Sequence, residues 1–233
     1  NFKELSKNIN IDKKYGDTRV ALEQLAKFGI DAVKKFNGMF AIALYDRIEK
    51  NFYLIRDRLG TKPLYYSYKN DAINFASEIK SIPLQKQVNE KMLHNYLEYG
   101  KYPTIKTFFK KIYNVEPSSI LKFNKDGVCK YKYFDLLEQV KVLKNENFSL
   151  EKFYSILKNS IQIRQRSDVK VNFHLSGGID STALLILTKD YWQRNDHLET
   201  FTFSYKGYEH DEFSFVKRIS KKLGINNYKI QIN

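Results

Sequence analysis

The spacing of apolar and polar residues predicts that the chain begins with a helix and a set of closely spaced strands. An apolar stripe from Val20 to Phe28 predicts a helix that begins at Asp17 and is stopped by Gly29, and a second short helix follows over Ile30–Phe36. The pattern then changes to short apolar runs separated by polar turns, which is typical of strands that pair antiparallel. These strands are predicted at Met39–Tyr45, Asn51–Ile55, Leu64–Tyr68 and Ala72–Ala76.

A polar and weakly patterned stretch, Pro83–Asn89, follows these strands, and we place a domain boundary between residues 84 and 85. The expected first domain, residues 1–84, is an α+β fold with an antiparallel sheet. Beyond the boundary, the sequence predicts a helix over Lys91–Tyr99, a hairpin around Asp126-Gly127 and an amphipathic helix over Leu150–Arg166.

The last third of the chain alternates strands with helices. This order predicts a parallel sheet with right-handed crossovers, so that residues 85–233 form an α/β domain. Ligands of such sheets bind beyond the carboxyl ends of the strands. The strands are predicted at Val169–Leu175, Leu198–Ser204 and Tyr228–Ile232, and the helices between them at Ser181–Tyr191 and Asp211–Leu223.

The composition is that of a folded protein. Of its 233 residues 42% are hydrophobic, which suffices to bury a core. The longest apolar run, Phe36–Tyr45, is interrupted and shorter than the roughly 20 residues of a membrane-spanning helix, so we expect no membrane segment. The polar start of the chain has neither a signal peptide nor an initiator Met, and we interpret the chain as a fragment. Its single cysteine, Cys129, excludes an intramolecular disulfide and fits a reducing cytoplasm.

The net charge of +14 permits two interpretations, a nucleic-acid partner or solvated lysines. The basic residues are spread along the whole chain rather than gathered in one stripe, which favours solvated lysines, and we expect no nucleic-acid partner. A basic RNA-binding module stays an alternative that only the charge supports. The four histidines have no metal-ligand spacing, so we expect no zinc site.

The segment Ser176–Thr182, with the sequence SGGIDST, carries the clearest chemistry. It follows a predicted strand and opens a helix, whose N-terminus leaves backbone N–H groups free and carries a partial positive charge. Gly177 and Gly178 lack a Cβ, so phosphate oxygens can approach the backbone closely. Asp180 beside a polyphosphate would bind a Mg²⁺ ion. The spacing favours phosphate binding, and an ordinary capped strand-to-helix turn is the alternative.

The order Ser-Gly-Gly-x-Asp-Ser after a strand resembles the pyrophosphate loop of the N-type ATP-pyrophosphatases. Two neighbouring segments, Arg166–Val169 and Tyr208–Glu212, look like segments of asparagine synthetases in particular. Nearer the N-terminus, Phe36–Ala41, Arg56–Tyr66 and Phe75–Lys80 resemble the later half of a class II glutamine amidotransferase domain. The chain is thus similar to glutamine-hydrolysing asparagine synthetases over nearly its whole length.

This resemblance implies a glutaminase domain followed by a synthetase domain. Ammonia from glutamine would reach an aspartate that ATP has converted to β-aspartyl-AMP. The implied cofactors are ATP and Mg²⁺, the implied partners are the small molecules glutamine, aspartate and ATP, and a homodimer is left open. Related enzymes with another acceptor, such as β-lactam synthetases or amidotransferases of sugar acids, are the alternative, as is a non-catalytic ATP-binding remnant.

The resemblance also assigns roles to single residues. ATP and its pyrophosphate are expected at His174, Ser176, Gly177, Gly178, Asp180, Ser181, Thr182 and Phe203, Mg²⁺ at Asp180, and the α-amino group of glutamine at Asp17. No catalytic residue is assigned, because the N-terminal Cys nucleophile of the family is absent and Cys129 is interpreted as structural.

Three of these interpretations have a structural alternative. Asp17 would also serve as a helix N-cap, and His174 could be a core histidine. Arg56, Asp57 and Arg58 invite a catalytic role, but we favour a buried or interfacial ion network that holds the two domains together.

Overall fold

A computed structural model describes residues 1–9, 16–70, 72–101, 105–143, 147–192, 197–205, 207–209 and 211–232. It divides the chain into two compact units, Asn1–Lys144 and Asn145–Asn233. Among the residues that it describes, no helix is both long enough and apolar enough to cross a membrane.

The first unit contains helices and antiparallel strands. Its helices are α1 (Phe2–Leu5), α2 (Asp17–Phe28), α3 (Glu90–Tyr99) and α4 (Leu136–Leu143), with 3-10 helices at Ser6–Asn8, Ile30–Lys35 and Ile79–Ser81. Its strands are β1 (Ala41–Asp46), β2 (Asn51–Arg56), β3 (Tyr65–Lys69), β4 (Ala72–Ala76), β5 (Tyr113–Asn114), β6 (Ser119–Asn124) and β7 (Gly127–Lys132). Helix α2 ends at Gly29, as predicted, where φ is +74°.

Two antiparallel sheets form in this unit, with strand orders β1-β2-β6-β7 and β4-β3-β5. The first four predicted strands and the hairpin around Asp126-Gly127 are confirmed. Because β6 pairs with β2 and β5 pairs with β3, strands from beyond residue 85 complete both sheets. The boundary predicted between residues 84 and 85 therefore falls inside the first unit, and the division follows Lys144. The local pattern showed where strands lie but not which strands pair.

Strand β2 is the centre of the first unit, because core residues cover both of its faces. Ile55 and Ile120 pack with Val20, Leu25 and other residues of the helical layer. On the opposite face, Leu54, Leu121 and Phe123 pack against Leu64 and Val115 from the second sheet. The unit is thus a helical layer on a sheet that packs on a second sheet.

Asp57, at the end of β2, is buried and accepts four backbone hydrogen bonds. The donors are the N–H groups of Phe40 (3.3 Å), Leu59 (3.2 Å), Thr61 (2.9 Å) and Lys62 (2.9 Å). Burial raises the pKa of Asp57, but the four hydrogen bonds outweigh burial and hold the pKa below its usual value. The carboxylate therefore ties the loop after β2 to the residue before β1.

Arg56 binds the same loop from the other side. Its guanidinium donates to the carbonyls of Gly60 (2.7 Å), Lys62 (2.9 Å) and Val115 (2.6 Å) and to the side chain of Asn114 (2.6 Å). Gly60 has φ +65°, and a Cβ there would lie 2.8 Å from the ring of Pro117, so the turn requires glycine. Instead of holding two domains together, these contacts hold one loop within the first unit.

In the second unit helices and parallel strands alternate along the chain. Its helices are α5 (Leu150–Arg164), α6 (Ile179–Asp190) and α7 (Phe213–Leu223), and its strands are β8 (Asn172–His174), β9 (Glu199–Tyr205) and β10 (Asn226–Ile232). The strands pair in parallel in the order β10-β9-β8, which confirms the predicted parallel sheet. The observed β8 is shorter than predicted, and α6 begins two residues earlier, at Ile179.

A small apolar cluster, Leu175, Leu185, Val216 and Ile225, forms the core of the second unit. The middle strand, β9, buries hydroxyl side chains instead of apolar ones. Thr200, Thr202 and Ser204 are buried, whereas Phe203 and Tyr205 on the alternate positions are exposed. One face of β9 is therefore aromatic and exposed, and the other carries buried hydroxyl groups.

We predict that Asp57→Asn destabilises the first unit. The amide keeps the size of the carboxylate but places an NH₂ group among four backbone donors, so we expect a loss of about 3 kcal/mol in the free energy of unfolding. Urea denaturation followed by circular dichroism measures this loss. The matched control is Asp126→Asn in the exposed turn between β6 and β7, which should change the stability by less than about 0.5 kcal/mol.

The pH dependence of stability provides a second measurement on the same variant. Because the folded pKa of Asp57 lies below its ordinary value of 3.8, the contribution of Asp57 to stability is complete above that value and disappears as the pH falls through the folded pKa. The wild type should therefore lose stability on acidification more steeply than Asp57→Asn. Parallel acid profiles of the two proteins would contradict the assigned role.

Candidate functional site

The loop after β8 leaves the sheet at a firmly held residue. Leu175 is completely buried, and its N–H donates to the carbonyl of Phe201 at 2.8 Å. Its carbonyl accepts the hydroxyl of Thr202, also at 2.8 Å. Strand β9 thus fixes the start of the segment that the sequence singled out as a phosphate loop.

Two serines close this loop on itself. The hydroxyl groups of Ser176 and Ser181 lie 2.9 Å apart, and the Ser181 hydroxyl also lies 2.8 Å from the carbonyl of Ser176 and 3.1 Å from that of Gly178. Gly178 is the N-cap of α6 and offers no side chain to cap the first turn. The first N–H groups of α6 therefore lack a local acceptor from the N-cap, as an anion site requires.

The amide of Gly177 already binds an anionic group. Its N–H donates to the Oε2 of Glu212 at 3.0 Å, across 35 positions of sequence. A Cβ at residue 177 would lie 3.1 Å from the carboxyl carbon of Glu212, so any other residue would crowd this side chain. At Gly178 a Cβ would meet only the Ser176 hydroxyl, at 3.5 Å. The two glycines therefore differ in surroundings, which their adjacency in the sequence did not indicate.

The remaining loop residues lie on the first turn of α6. Asp180 is exposed there, and Thr182 has a buried hydroxyl that makes no hydrogen bond within the described part of the chain. Among the described residues there is no group of three or more His, Cys, Asp or Glu side chains that could hold a metal ion. Any metal at Asp180 would therefore take its other oxygen ligands from phosphate and water.

The two residues predicted to hold adenine lie side by side. The rings of His174 and Phe203 are 5.0 Å apart at an interplanar angle of 49°, and both residues are exposed. His174 is therefore not a core histidine. Phe203 is not the last residue of its strand, because β9 continues to Tyr205.

A separate cavity of about 920 Å³ lies in the first unit. Its apolar walls come from α1, α2 and β1, and its polar lining includes Asp17, Asn37, Lys62 and Ser77. Cys129 does not line it; this cysteine is exposed on β7. The cavity brings Asp17 together with the Asn37-Gly38 segment and with the loop that Asp57 holds.

Asp17 is the first residue of α2, and the N-cap is Gly16, so the prediction of an N-cap role for Asp17 is wrong. Its Oδ1 accepts the N–H of Thr18 at 2.7 Å and the Thr18 hydroxyl at 3.3 Å. The helix begins one residue earlier than a capping aspartate would require, because Gly16 adopts the extended N-cap conformation. The structure gives no Asp17 Oδ2 hydrogen bond within its described residues.

Glu212 and Asp211 are the site residues that the sequence did not assign. The segment Tyr208–Glu212 was singled out only for its resemblance to a family segment. The sequence offered only a pair of acidic residues at the start of a predicted helix. Such a pair has an ordinary local explanation, because acidic residues stabilise the N-terminus of a helix. The contact between Glu212 and Gly177 joins residues that are close only in the folded sheet.

Comparisons with known proteins agree with the division into two units. The model of the glutamine amidotransferase domain family matches residues 1–134, and that of the asparagine synthase family matches residues 152–233. A putative asparagine synthetase (glutamine-hydrolysing) 2 of Methanocaldococcus jannaschii is 32% identical over 226 residues, which cover 93% of this chain and 43% of the relative. The asparagine synthetase (glutamine-hydrolysing) 1 of Bacillus subtilis is 29% identical over 214 residues, or 91% of this chain and 33% of the relative.

Among solved structures, glutamine phosphoribosylpyrophosphate amidotransferase of Bacillus subtilis in complex with ADP and GMP aligns with 97% of this chain and 42% of its own. Its sequence identity is 15% and the TM-score is 0.38. The chain spans less than half the length of the curated relatives that it matches.

We predict that Ser181→Ala loosens the phosphate loop. The substitution removes the hydroxyl that lies within hydrogen-bond distance of Ser176 and Gly178, so local opening should become easier by about 1 kcal/mol. Hydrogen exchange of the amides of residues 176–178 should become faster, whereas that of β9 should not change. Ser214→Ala, at an exposed position of α7, is the control, and equal exchange in both variants would contradict the role of Ser181.

Proposed function

We propose that the protein transfers ammonia from glutamine to an aspartate activated by ATP. This chain belongs to the family of glutamine-hydrolysing asparagine synthetases, which supports the proposal. In the first step glutamine is hydrolysed to glutamate and ammonia. In the second, the β-carboxylate of aspartate attacks the α-phosphorus of ATP, and pyrophosphate leaves. Ammonia then attacks the acyl carbon of β-aspartyl-AMP and expels AMP, which leaves asparagine.

The observation that carries this proposal is the hydrogen bond that the N–H of Gly177, just before the N-terminus of α6, donates to the carboxylate of Glu212. A backbone N–H that binds one anion beyond the first parallel strand lies where the phosphates of a nucleotide bind in α/β sheets. The neighbouring N–H groups of the first turn of α6 would hold the β- and γ-phosphates. The fixed donors would stabilise the charge that develops on the departing pyrophosphate.

Asp180 is the residue that we assign to Mg²⁺. A hard divalent cation prefers oxygen ligands and usually takes one or two carboxylates together with phosphate oxygens, which fits the exposed carboxylate of Asp180 beside the loop. Mg²⁺ bound there would neutralise part of the phosphate charge. Ser176, Ser181 and Thr182 would add hydroxyl donors around the same phosphates.

His174 and Phe203 are assigned to the adenine ring. Both are exposed on the open face of the parallel sheet, and their rings are already in contact. An adenine base can stack on such a pair, since aromatic faces attract one another in offset or tilted arrangements.

Glutamine is assigned to the cavity of the first unit. Asp17 lines this cavity and would bind the α-amino group of glutamine through a charge-assisted hydrogen bond. No residue of this chain is assigned as the nucleophile, since Cys129 does not line the cavity. We place the protein in the cytoplasm, with which its single free cysteine is compatible.

Isothermal titration with MgATP tests the nucleotide site. We expect the wild type to bind MgATP and Asp180→Ala to bind it with about tenfold lower affinity, because the metal loses the carboxylate that we assign to it. Asp190→Ala removes an exposed carboxylate from the other end of the same helix and should bind like the wild type.

Equal MgATP affinities of wild type and Asp180→Ala would remove the metal role of Asp180. Formation of ADP and phosphate in place of AMP and pyrophosphate, when ATP, aspartate and glutamine are supplied to the intact protein, would refute the proposed reaction.

The glutamine site is tested with Asp17→Ala. Removal of the carboxylate that we pair with the α-amino group should weaken glutamine binding at least about tenfold, as measured by saturation-transfer NMR or calorimetry. Asp31→Ala is the control, because Asp31 is exposed in the same unit and pairs with Lys34 outside the cavity. Undiminished binding by Asp17→Ala would exclude Asp17 from the site.

A further inference from the structure

The start of α7 is held by a residue that also holds the end of β9. The hydroxyl of Ser204 donates to the Oδ2 of Asp211 at 2.5 Å, and the N–H of Phe213 donates to its Oδ1 at 3.0 Å. The hydrogen bond from Ser204, together with that from Phe213, lowers the pKa of Asp211 below its usual value, so this carboxylate stays ionised. Asp211 therefore fixes the backbone on both sides of Glu212.

Glu212 extends from this fixed point to the loop after β8. Its Oε2 accepts the N–H of Gly177 at 3.0 Å, and its carboxyl carbon would lie 3.1 Å from a Cβ at residue 177. Its neighbour along the loop, Gly178, has no such contact with Glu212. The two glycines therefore differ in their surroundings, although the sequence suggested that both serve phosphate.

The contact determines how the peptide between Ser176 and Gly177 is turned. When the Gly177 N–H faces Glu212, the carbonyl of Ser176 points the opposite way, where the Ser181 hydroxyl lies 2.8 Å from it. One hydrogen bond on each side of the same planar peptide leaves it little freedom to rotate. The N–H of Gly178 and those of the first turn of α6 are then the donors that remain for an anion.

We propose that Glu212 is a positioning residue of the ATP loop, which orients the Gly177 peptide so that the following N–H groups converge on the phosphate tail. This inference rests on the proposed nucleotide site and adds to it a residue that does not touch the nucleotide. The chain of contacts from Ser204 through Asp211 and Glu212 to Gly177 joins the ends of the first two parallel strands. The alternative, which the experiment below distinguishes, is that the Glu212 carboxylate competes with phosphate for the N–H of Gly177.

Two substitutions at residue 212 distinguish these outcomes. Glu212→Ala removes the acceptor, and we expect the MgATP affinity to fall about tenfold. The far-UV circular dichroism spectrum should not change. Glu212→Gln keeps a carbonyl acceptor of the same reach and should restore most of the affinity. Glu209→Ala, an exposed glutamate of the same segment, should bind like the wild type.

Hydrogen exchange provides a readout without nucleotide. The amide of Gly177 should be protected in the wild type and in Glu212→Gln, and it should exchange at least about tenfold faster in Glu212→Ala. Unaltered Gly177 exchange in Glu212→Ala would overturn the inference even if the protein binds no ATP. Absence of MgATP binding by the wild type, with the expected exchange pattern, would instead refute only the nucleotide site.

The affinities decide between positioning and competition. Tighter MgATP binding by both Glu212→Ala and Glu212→Gln would mean that the carboxylate competes with phosphate, which overturns the inference. The inference is also overturned if Glu212→Gln binds MgATP as weakly as Glu212→Ala, because the negative charge of Glu212 and not its hydrogen bond would then determine the affinity.

Discussion

The carboxylate of Asp57 is the interaction on which the first unit depends most. A loop that turns back immediately after a buried strand presents several N–H groups that can no longer pair within the sheet, and leaving them unpaired in the interior is costly. Asp57 accepts three of them, from Leu59, Thr61 and Lys62, together with the N–H of Phe40, and Arg56 donates to the carbonyls of the same loop. Because one of the four donors is Phe40, the same contacts fix the residue before β1 and hence a wall of the cavity.

The second unit uses carboxylates at a comparable place. Asp211 and Glu212 follow β9 as Asp57 follows β2, and they too accept backbone N–H groups from segments beyond a strand end. The difference lies in exposure, since Asp57 is buried, whereas Glu212 is exposed. Buried carboxylates of this kind fix a loop permanently, whereas an exposed one can be replaced by solvent. A permanently held wall suits the cavity, whereas an exposed contact suits the loop that we assign to phosphate.

Sequence reasoning succeeded where a local pattern carries the information. The apolar stripe of α2 with its terminal Gly29, the Asp126-Gly127 hairpin and the alternation of strand and helix after Val169 all appear in the structure. It did not succeed where distant segments meet. The pairing of β6 with β2 moved the limit of the first unit beyond residue 85, because antiparallel partners need not be neighbours in sequence.

The same limit applies to the sites. The proximity of His174 and Phe203 was expected from the family resemblance, which assigns both residues to the adenine ring. The Glu212 partner of Gly177 could not be found in this way, since a glutamate at a helix start has an ordinary local explanation. The N-cap of α2 was misassigned by one residue for a related reason. Gly16 and Asp17 are both acceptable caps, and only the backbone conformation of Gly16 decides between them.

The buried hydroxyls of β9 have a consequence for how its neighbours align. Asn227 on β10 donates to the hydroxyls of Thr200 (2.8 Å) and Thr202 (2.9 Å), and Thr202 in turn donates to the backbone beside β8. A slip of either neighbour by one residue would leave these polar atoms without partners inside the protein and would turn aromatic rings toward the helices. A strand with apolar side chains in place of these hydroxyl groups would tolerate such a slip more readily. The hydroxyl row thus selects a single register for a sheet of only three strands.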